Sequence, residues 1–433
     1  MKFLRILAWI AAVIVASATA LGVIAVIINW RDAPPSADYL RLKKMIADRP
    51  AVADSDNAYV FLLGLGAGAD ADPQQVGERR LAWLEELDQD MSKLRADPGS
   101  ELSGFSGSRS AAVTAFFKAC NADDPHDCPL AFDSAPGPEG WSDRDRELLA
   151  RYHAIVARSR WREHVGNDIS QPIPAYADLL AGQRLEFLDL RGADAQTLRD
   201  TLSRDLAFWR NVLASSDFLI TKMIAVAGLR QHFQFGNLLL RHSRATGDAS
   251  PIPDGWRQAI TRPELSPERV MAGELTMMES TWHFPKGVLF FQEQDISNEF
   301  AADYVELVQA FDVPLADYPR TADRWAKRSS RHPFPSRLYD IGGDYLRQVG
   351  RAAYYNYLPR VAAVEAWRRA ALTTAELRER GIPIAQVPEA LARAALRNPF
   401  DGKAFAWSTQ ELAVVYQGTE DQSRGRRRQV YPY

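Results

Sequence analysis

The side chains best spaced for catalysis in this sequence are Glu279 and His283. Residues four apart share one face of a helix, and the segment from Val270 to Thr281 has helical periodicity. A carboxylate beside an imidazole is suited to acid–base chemistry or to metal binding. However, Phe284-Pro285 ends the helix at once, and no His-Glu-x-x-His motif is present. The alternative is a structural histidine favoured by the dipole at the helix C-terminus.

The other histidines and the glycine-rich run give no sign of a cofactor. His232 lies in an apolar helical segment, where a hydrogen-bonded core histidine is expected. His164 and Asp168 are four apart, but Gly166-Asn167 between them favours a turn or capping pair. The run from Gly64 to Gly68 lacks the Gly-Lys-Ser/Thr ending of a phosphate loop. We therefore predict no cofactor and no metal ion.

The two cysteines of the chain, Cys120 and Cys128, lie close together in sequence. Pro125 and several Asp and Asn residues between them are typical of a turn. In an oxidising compartment such a pair favours a disulfide. A metal site that also used His126 would lack the Cys-x-x-Cys spacing of zinc sites. The sequence predicts a disulfide that staples a loop.

These side chains must be positioned by a domain that begins with a membrane segment. No charged residue occurs from Leu7 to Ile28. At 1.5 Å per residue this run spans about 33 Å, slightly more than the hydrocarbon core of a bilayer. Lys2 and Arg5 precede it, which predicts that the N-terminus stays in the cytoplasm. Residues 7–28 are thus expected to contact lipid, and the rest of the chain to lie in the periplasm beyond a bacterial inner membrane.

A cleaved signal peptide is the alternative interpretation of this segment. Ala16-Ser17-Ala18 and Ala18-Thr19-Ala20 both fit the small-x-small cleavage pattern. The apolar run continues past both sites to Ile28, whereas the apolar region of a signal peptide is about 7–15 residues long. This length favours an uncleaved anchor, and either interpretation exports the domain.

Small residues line one face of the membrane segment. Ala12, Ala16 and Ala20 are spaced four apart, and such rows let two membrane helices approach closely. This face would support a homodimer formed through the anchor. The alternative is that alanine is simply common in anchors.

The remainder of the chain shows the periodicity of amphipathic helices. Apolar residues recur at helical spacing from Leu198 to Leu213 and from Phe300 to Phe311, and Asp194 can cap the first of these helices. Phe218 to Leu240 is apolar, but Lys222 and other polar residues favour a buried helix of the soluble domain over a second membrane helix. We expect five regions along the chain. A cytoplasmic stub and anchor (1–30) come first, and a short linker (31–37) lifts the domain off the membrane. A helical extracytoplasmic domain (38–397), a turn and β-hairpin (398–418) and a frayed basic tail (419–433) follow.

The C-terminal segment carries a family resemblance. Asn398-Pro399-Phe400-Asp401-Gly402-Lys403 is followed by Phe405 and Trp407. This segment resembles the [DN]PFDGKP-aromatic-x-aromatic ending of uncharacterised bacterial single-pass envelope proteins, with Ala404 in place of the usual proline. The segments 56–64 and 160–163 are also similar to that group. The resemblance implies a membrane-anchored, mostly helical exported protein and implies no activity.

The sequence therefore predicts an all-α fold with an N-terminal transmembrane helix and a small C-terminal β-hairpin. The net charge of −3 argues against nucleic acid as a partner. Because no catalytic motif is evident, the leading interpretation is a binding or scaffolding component of the cell envelope, with an unidentified envelope protein or ligand as its partner. The alternative is an envelope hydrolase of peptide or glycan that uses Glu279 and His283.

Overall fold

The computed structural model describes residues 2–89, 108–121, 127–166, 173–242, 250–279, 291–329, 339–350, 354–418 and 428–433. This part of the chain is mostly helical, with a small antiparallel sheet at its C-terminal end. The helices are α1 (Lys2–Ile28), α2 (Ala37–Ala47), α3 (Ala58–Leu63), α4 (Pro73–Gln89), α5 (Ala111–Asn121), α6 (Cys128–Ser134), α7 (Asp143–Val156), α8 (Tyr176–Asp189), α9 (Ala195–Ser215), α10 (Leu219–His242), α11 (Asp254–Arg257), α12 (Arg262–Leu265), α13 (Glu268–Glu279), α14 (Glu293–Ala310), α15 (Tyr318–Ser329), α16 (Ile341–Gly350), α17 (Leu358–Glu379) and α18 (Val387–Arg393). The strands are β1 (Ala406–Ser408), β2 (Ala413–Gln417) and β3 (Arg428–Pro432).

The N-terminal helix α1 is long and apolar enough to cross a membrane, and no second helix in the described ranges meets that criterion. Its apolar side chains are exposed along most of its length. The other apolar segment, Phe218 to Leu240, falls within α10, where Lys222 and His232 are buried in the core. The expectation of a buried helix is confirmed.

The core is centred on α10, which packs against α8, α9 and α17. The apolar stripe predicted from Leu198 to Leu213 is the buried face of α9. Asp194 caps this helix as expected, since its carboxylate accepts hydrogen bonds from the backbone N–H groups of Gln196 (2.9 Å) and Thr197 (3.0 Å). Sequence periodicity therefore located α9 correctly.

Buried carboxylates surround the N-terminus of α10. Glu163 accepts hydrogen bonds from the backbone N–H groups of Asp217 (2.5 Å) and Phe218 (3.2 Å), and Glu274 accepts one from Leu219 (2.8 Å). These N–H groups lack intrahelical partners and carry the positive end of the helix dipole. Burial raises the pKa of both glutamates, while these hydrogen bonds oppose the rise. The cluster joins the segment before α8 and helix α13 to the start of α10.

The C-terminal sheet contains the predicted hairpin and one strand more. β1 pairs with β2, and β2 pairs with β3, both antiparallel, in the order β1-β2-β3. The expectation of a frayed tail is wrong for residues 428–433, because β3 pairs along the whole of β2 and Tyr431 is fully buried. The preceding residues 424–428 are mainly basic, and the alternation of Gln429, Val430 and Tyr431 is too short to predict a strand from the sequence. The preceding turn forms as expected, with Gly402 at a φ of 69° that favours glycine.

Residues 31–36 were expected to lift the domain off the membrane, but they are hydrogen-bonded to it. The carboxylate of Asp32 accepts hydrogen bonds from the backbone N–H groups of Gln294 (2.7 Å) and Asp295 (3.0 Å) at the start of α14. The side chain of Asn298 accepts a hydrogen bond from Ser36 N (2.8 Å) and donates one to Pro34 O (2.9 Å). The segment is therefore docked on the domain, because its polar groups satisfy the first turn of α14.

The two cysteines lie where the predicted disulfide requires them. Their Sγ atoms are 2.08 Å apart, at disulfide-bonding distance. Cys120 lies in the last turn of α5 and Cys128 begins α6. Both are buried, so the pair staples two short helices to the core.

Candidate functional site

Of the predicted Glu279–His283 site, only Glu279 lies within the described residues. Glu279 is the last residue of α13, and its Oε2 lies 2.7 Å from Nζ of Lys43 on α2. Burial and a hydrogen bond to Glu279 raise the pKa of Tyr39. His283 lies outside the described residues, as does Asp168. Glu279 thus serves as an ion-pair partner between two helices.

The alanines of the anchor face are exposed on α1. Ala12, Ala16 and Ala20 lie on one face of a continuous helix. Dimerisation through this face stays a prediction.

Titratable side chains instead converge in a surface cleft between α7, α8 and α9, which we call the α7–α9 cleft. Its volume is about 360 Å³. Val156, Ala157 and Leu190 give it an apolar portion. The titratable residues that line it are Tyr152, His153, Glu186, Asp189, Arg204 and Asp205.

A histidine–glutamate pair lies in the α7–α9 cleft. Nε2 of His153 hydrogen-bonds Oε2 of Glu186, and about half of the imidazole is exposed while Glu186 is buried. The hydrogen bond raises the pKa of His153, and the negative charges of Glu186 and Asp189 add to the rise. Partial burial and the charge of Arg204 oppose it. The pair therefore favours a protonated imidazole in contact with solvent.

Asp205 connects the cleft to a hydrogen-bond network in the core. Its buried carboxylate accepts hydrogen bonds from the hydroxyl of Tyr152, from Nε2 of Gln183 (3.0 Å) and from Nδ1 of His232 (2.6 Å). Nε1 of Trp256 can only donate, so Nε2 of His232 accepts its hydrogen bond (2.7 Å). His232 is thus the hydrogen-bonded core histidine predicted from the sequence. The network holds the floor of the cleft in a fixed geometry.

A larger groove lies on another part of the surface, and we call it the α12–α17 groove. Its volume is about 720 Å³, and it runs between α12, the start of α13, the end of α14, the start of α15 and α17. Its floor is apolar. The floor residues are Ile260, Leu265, Val308, Phe311, Val313 and Leu315.

Charged residues of both signs form the rim of the α12–α17 groove. Arg262 pairs with Asp312, and Arg41 pairs with Glu268. Both pairs are at least partly exposed, and exposed ion pairs exchange partners at little cost in free energy. The groove thus combines an apolar floor with replaceable charges, as protein interfaces do.

Neither site was predicted from the sequence. His153 and Glu186 lie on different helices, thirty-three positions apart in sequence. The groove residues come from four separate segments of the sequence. A buried acid within an apolar stripe, such as Asp205 on α9, is the one usable signal, since buried carboxylates require partners.

No family model, no curated protein and no solved structure matches this chain.

Proposed function

We propose that the chain is a single-pass protein of a bacterial inner membrane, with its N-terminus in the cytoplasm and its domain in the periplasm. The apolar, exposed helix α1 supports the anchor, and Lys2 and Arg5 on its N-terminal side support the orientation. The Sγ atoms of Cys120 and Cys128 lie at disulfide-bonding distance, and disulfides persist in oxidising compartments such as the periplasm.

The function best supported by the geometry is binding of a polypeptide segment of an envelope partner. The α12–α17 groove carries this proposal. The groove is open to solvent, so an extended segment would bury apolar side chains in it and keep its other side in solvent. The rim offers arginines to acidic residues and carboxylates to basic residues of such a segment. A segment with apolar residues flanked by both charges would fit.

Site-specific photocrosslinking in cells tests this proposal. A photoreactive residue at Val313, on the groove floor, should form a discrete adduct with one envelope protein. The same residue at Leu130, which is exposed on α6, should not. Equal adducts at both positions, or none at Val313, would contradict the proposal.

Charge reversal supplies a matched control for the same experiment. Arg262→Glu should reduce the Val313 adduct several-fold, because it removes a positive charge from the rim and places a second negative charge beside Asp312. Arg393→Glu reverses an arginine of the same exposure, 77% against 76%, that is also paired with a carboxylate but lies outside the groove. This second change should leave the adduct unchanged, and an equal loss from both would indicate a nonspecific effect of charge.

The α7–α9 cleft favours a second candidate, an envelope hydrolase of peptide or glycan. Protonated His153 would donate its proton to the leaving group as the scissile bond breaks. The carboxylate of Asp189 would accept a proton from the water whose oxygen bonds to the scissile carbon. Glu186 would keep the imidazole oriented.

Turnover of envelope peptide and glycan fragments by the purified chain in detergent tests this candidate. His153→Gln and Asp189→Asn should each abolish turnover. Asp143→Asn, at a fully exposed site outside the cleft, and Glu279→Gln should not. Absence of turnover, or turnover that survives both cleft changes, would exclude the hydrolase.

A further inference from the structure

Hydrogen bonds hold the junction between α1 and the domain. Asn29, the first residue after α1, is buried although polar. Its backbone carbonyl accepts a hydrogen bond from Nε2 of Gln292 (2.8 Å), and its Oδ1 accepts one from the backbone N–H of Asp340 (2.9 Å). The domain therefore meets the helix one residue beyond the apolar run.

The contacts continue along the chain from residue 29 to residue 36. The hydroxyl of Tyr339 donates a hydrogen bond to the carbonyl of Arg31 (3.2 Å). The next contacts along the chain are the hydrogen bonds of Asp32, Pro34 and Ser36 with α14 described above. We call this set, residues 29–36 against 292–298 and 339–340, the anchor clamp. Hydrogen bonds at five positions fix the orientation of the domain relative to α1.

The clamp places part of the domain at the level of the membrane surface. Ile28 ends the apolar run, so groups bonded to Asn29 and Arg31 lie at the boundary of the hydrocarbon core if α1 spans the bilayer. Asp340 accepts hydrogen bonds from the backbone N–H groups of Gln292 (2.9 Å) and Gly343 (3.0 Å), which holds the start of α16 at the same place.

Helix α16 is further fixed on α14 by an ion-pair network. Nε of Arg347 lies 2.7 Å from Oδ2 of Asp303, and its Nη1 lies 2.6 Å from Oε2 of Glu299. The neighbouring Tyr345 is exposed, at 68%, and so is Trp30, at 78%. Amphipathic aromatic rings of this kind prefer the headgroup region of a bilayer.

We propose that Trp30 and Tyr345 form a membrane-contacting surface that seats the domain on the lipid headgroups in one orientation. The occupant of this surface is the bilayer itself, since Trp30 follows the end of α1 within two residues and Tyr345 lies on α16, whose start is held at Asn29 through Asp340. The proposal rests on the membrane anchoring proposed above and is independent of the partner groove.

Fluorescence quenching in the full chain, reconstituted in phospholipid nanodiscs, tests the proposal. The native cysteines are paired, so a single introduced cysteine can carry an environment-sensitive fluorophore. Tyr345→Cys labelled in this way should lose most of its fluorescence to spin labels attached to lipid headgroups. Leu130→Cys, with a similar exposure of 72%, should lose little. Equal quenching at the two sites, or no quenching at Tyr345, would overturn the proposal.

Two further variants separate the possible failures. Val15→Cys, in the middle of α1, should be quenched by spin labels on the acyl chains. If it is not, the membrane anchor itself is refuted, whereas quenching at Val15 without quenching at Tyr345 refutes the surface contact alone. Asp32→Ala combined with Asn298→Ala removes clamp contacts and should reduce quenching at Tyr345 while circular dichroism stays unchanged. Unchanged quenching would show that the clamp does not set the orientation.

Discussion

Lys222 shows how burial changes the chemistry of a single residue. It lies fully buried on α10, and its Nζ donates hydrogen bonds to the carbonyl oxygens of Leu213 (2.8 Å) and Glu264 (2.9 Å). Both carbonyls lie in the last turns of helices, where intrahelical donors are missing. Burial lowers the pKa of Lys222 to about 7, since an ammonium loses its hydration there, and the charge of Glu264 opposes the fall.

This pKa makes the stability of the fold depend on pH. Between about pH 7 and the pKa of an unperturbed lysine near 10.4, the unfolded chain holds a proton at Lys222 that the folded chain has released. Lys222 should therefore contribute a rise in the free energy of unfolding with pH in this window. Glu163, whose pKa burial raises to about 8, contributes in the opposite direction, so the slopes of variants are compared. Denaturant unfolding at pH 7, 8 and 9 should give a more positive slope for the native chain than for Lys222→Met. Lys403→Met, at an exposed site, should keep the native slope, and an identical slope in all three would contradict the assignment.

The second residue whose ionisation can be followed directly is His153. Because the hydrogen bond to Glu186 raises its pKa, Glu186→Gln should lower the imidazole pKa toward its ordinary value of about 6.5. Titration of the imidazole signals by nuclear magnetic resonance measures this shift. Glu389→Gln, far more exposed and outside the cleft, is the matched change that should have no effect. A His153 pKa that stays the same in Glu186→Gln would show that the pair does not form in solution.

At the scale of elements, the close approach of α9 and α10 depends on a missing side chain. A Cβ atom at Gly228 would lie 2.3 Å from the indole ring of Trp209, a ring buried between the two helices. Such a contact forces the helices or the ring to shift. The packing that buries the predicted stripe of α9 therefore requires glycine at this point.

Two glycines of α10 allow a matched test of this requirement. Gly228→Ala should lower the free energy of unfolding by about 2–3 kcal/mol, because overpacking outweighs the better helix propensity of alanine. Gly236→Ala, whose Cβ would lie 3.0 Å from Trp256, should change it by about 1 kcal/mol or less. Chemical denaturation of both variants checks the difference. Equal effects would mean that helix propensity, rather than the approach of Trp209, decides the outcome.

For the whole molecule, the sequence predicted elements better than their assembly. Periodicity identified α9 and α14, and apolar content identified α10, because a buried helix face must be apolar wherever its partner lies. It did not show which helices meet, so the contact of His153 with Glu186 and the pairing of Glu279 with Lys43 were not foreseen. The docking of residues 31–36 was missed for the same reason, since hydrogen bonds between polar groups far apart in sequence leave no periodic pattern.

The C-terminal strand β3 was predicted from the sequence to be a frayed tail, but it pairs with β2 and completes the sheet. Tyr431 is fully buried, and β3 packs against α10 and α17. The hydroxyl of Tyr433 donates a hydrogen bond to the carbonyl of Leu377 (3.1 Å), in the last turns of α17. The chain end thus ties the sheet to the central helices.

Removal of the Tyr431 ring should show how much the C-terminal strand stabilises the fold. Tyr431→Ala should lower the free energy of unfolding by about 3–5 kcal/mol, as truncation of a buried aromatic residue does. Tyr345→Ala, the same substitution at an exposed site, should change it by about 0.5 kcal/mol or less in detergent. Thermal or denaturant unfolding of the full chain compares the two. A frayed tail would make both substitutions equally mild, whereas a large loss confined to Tyr431 requires that the end of the chain be part of the core.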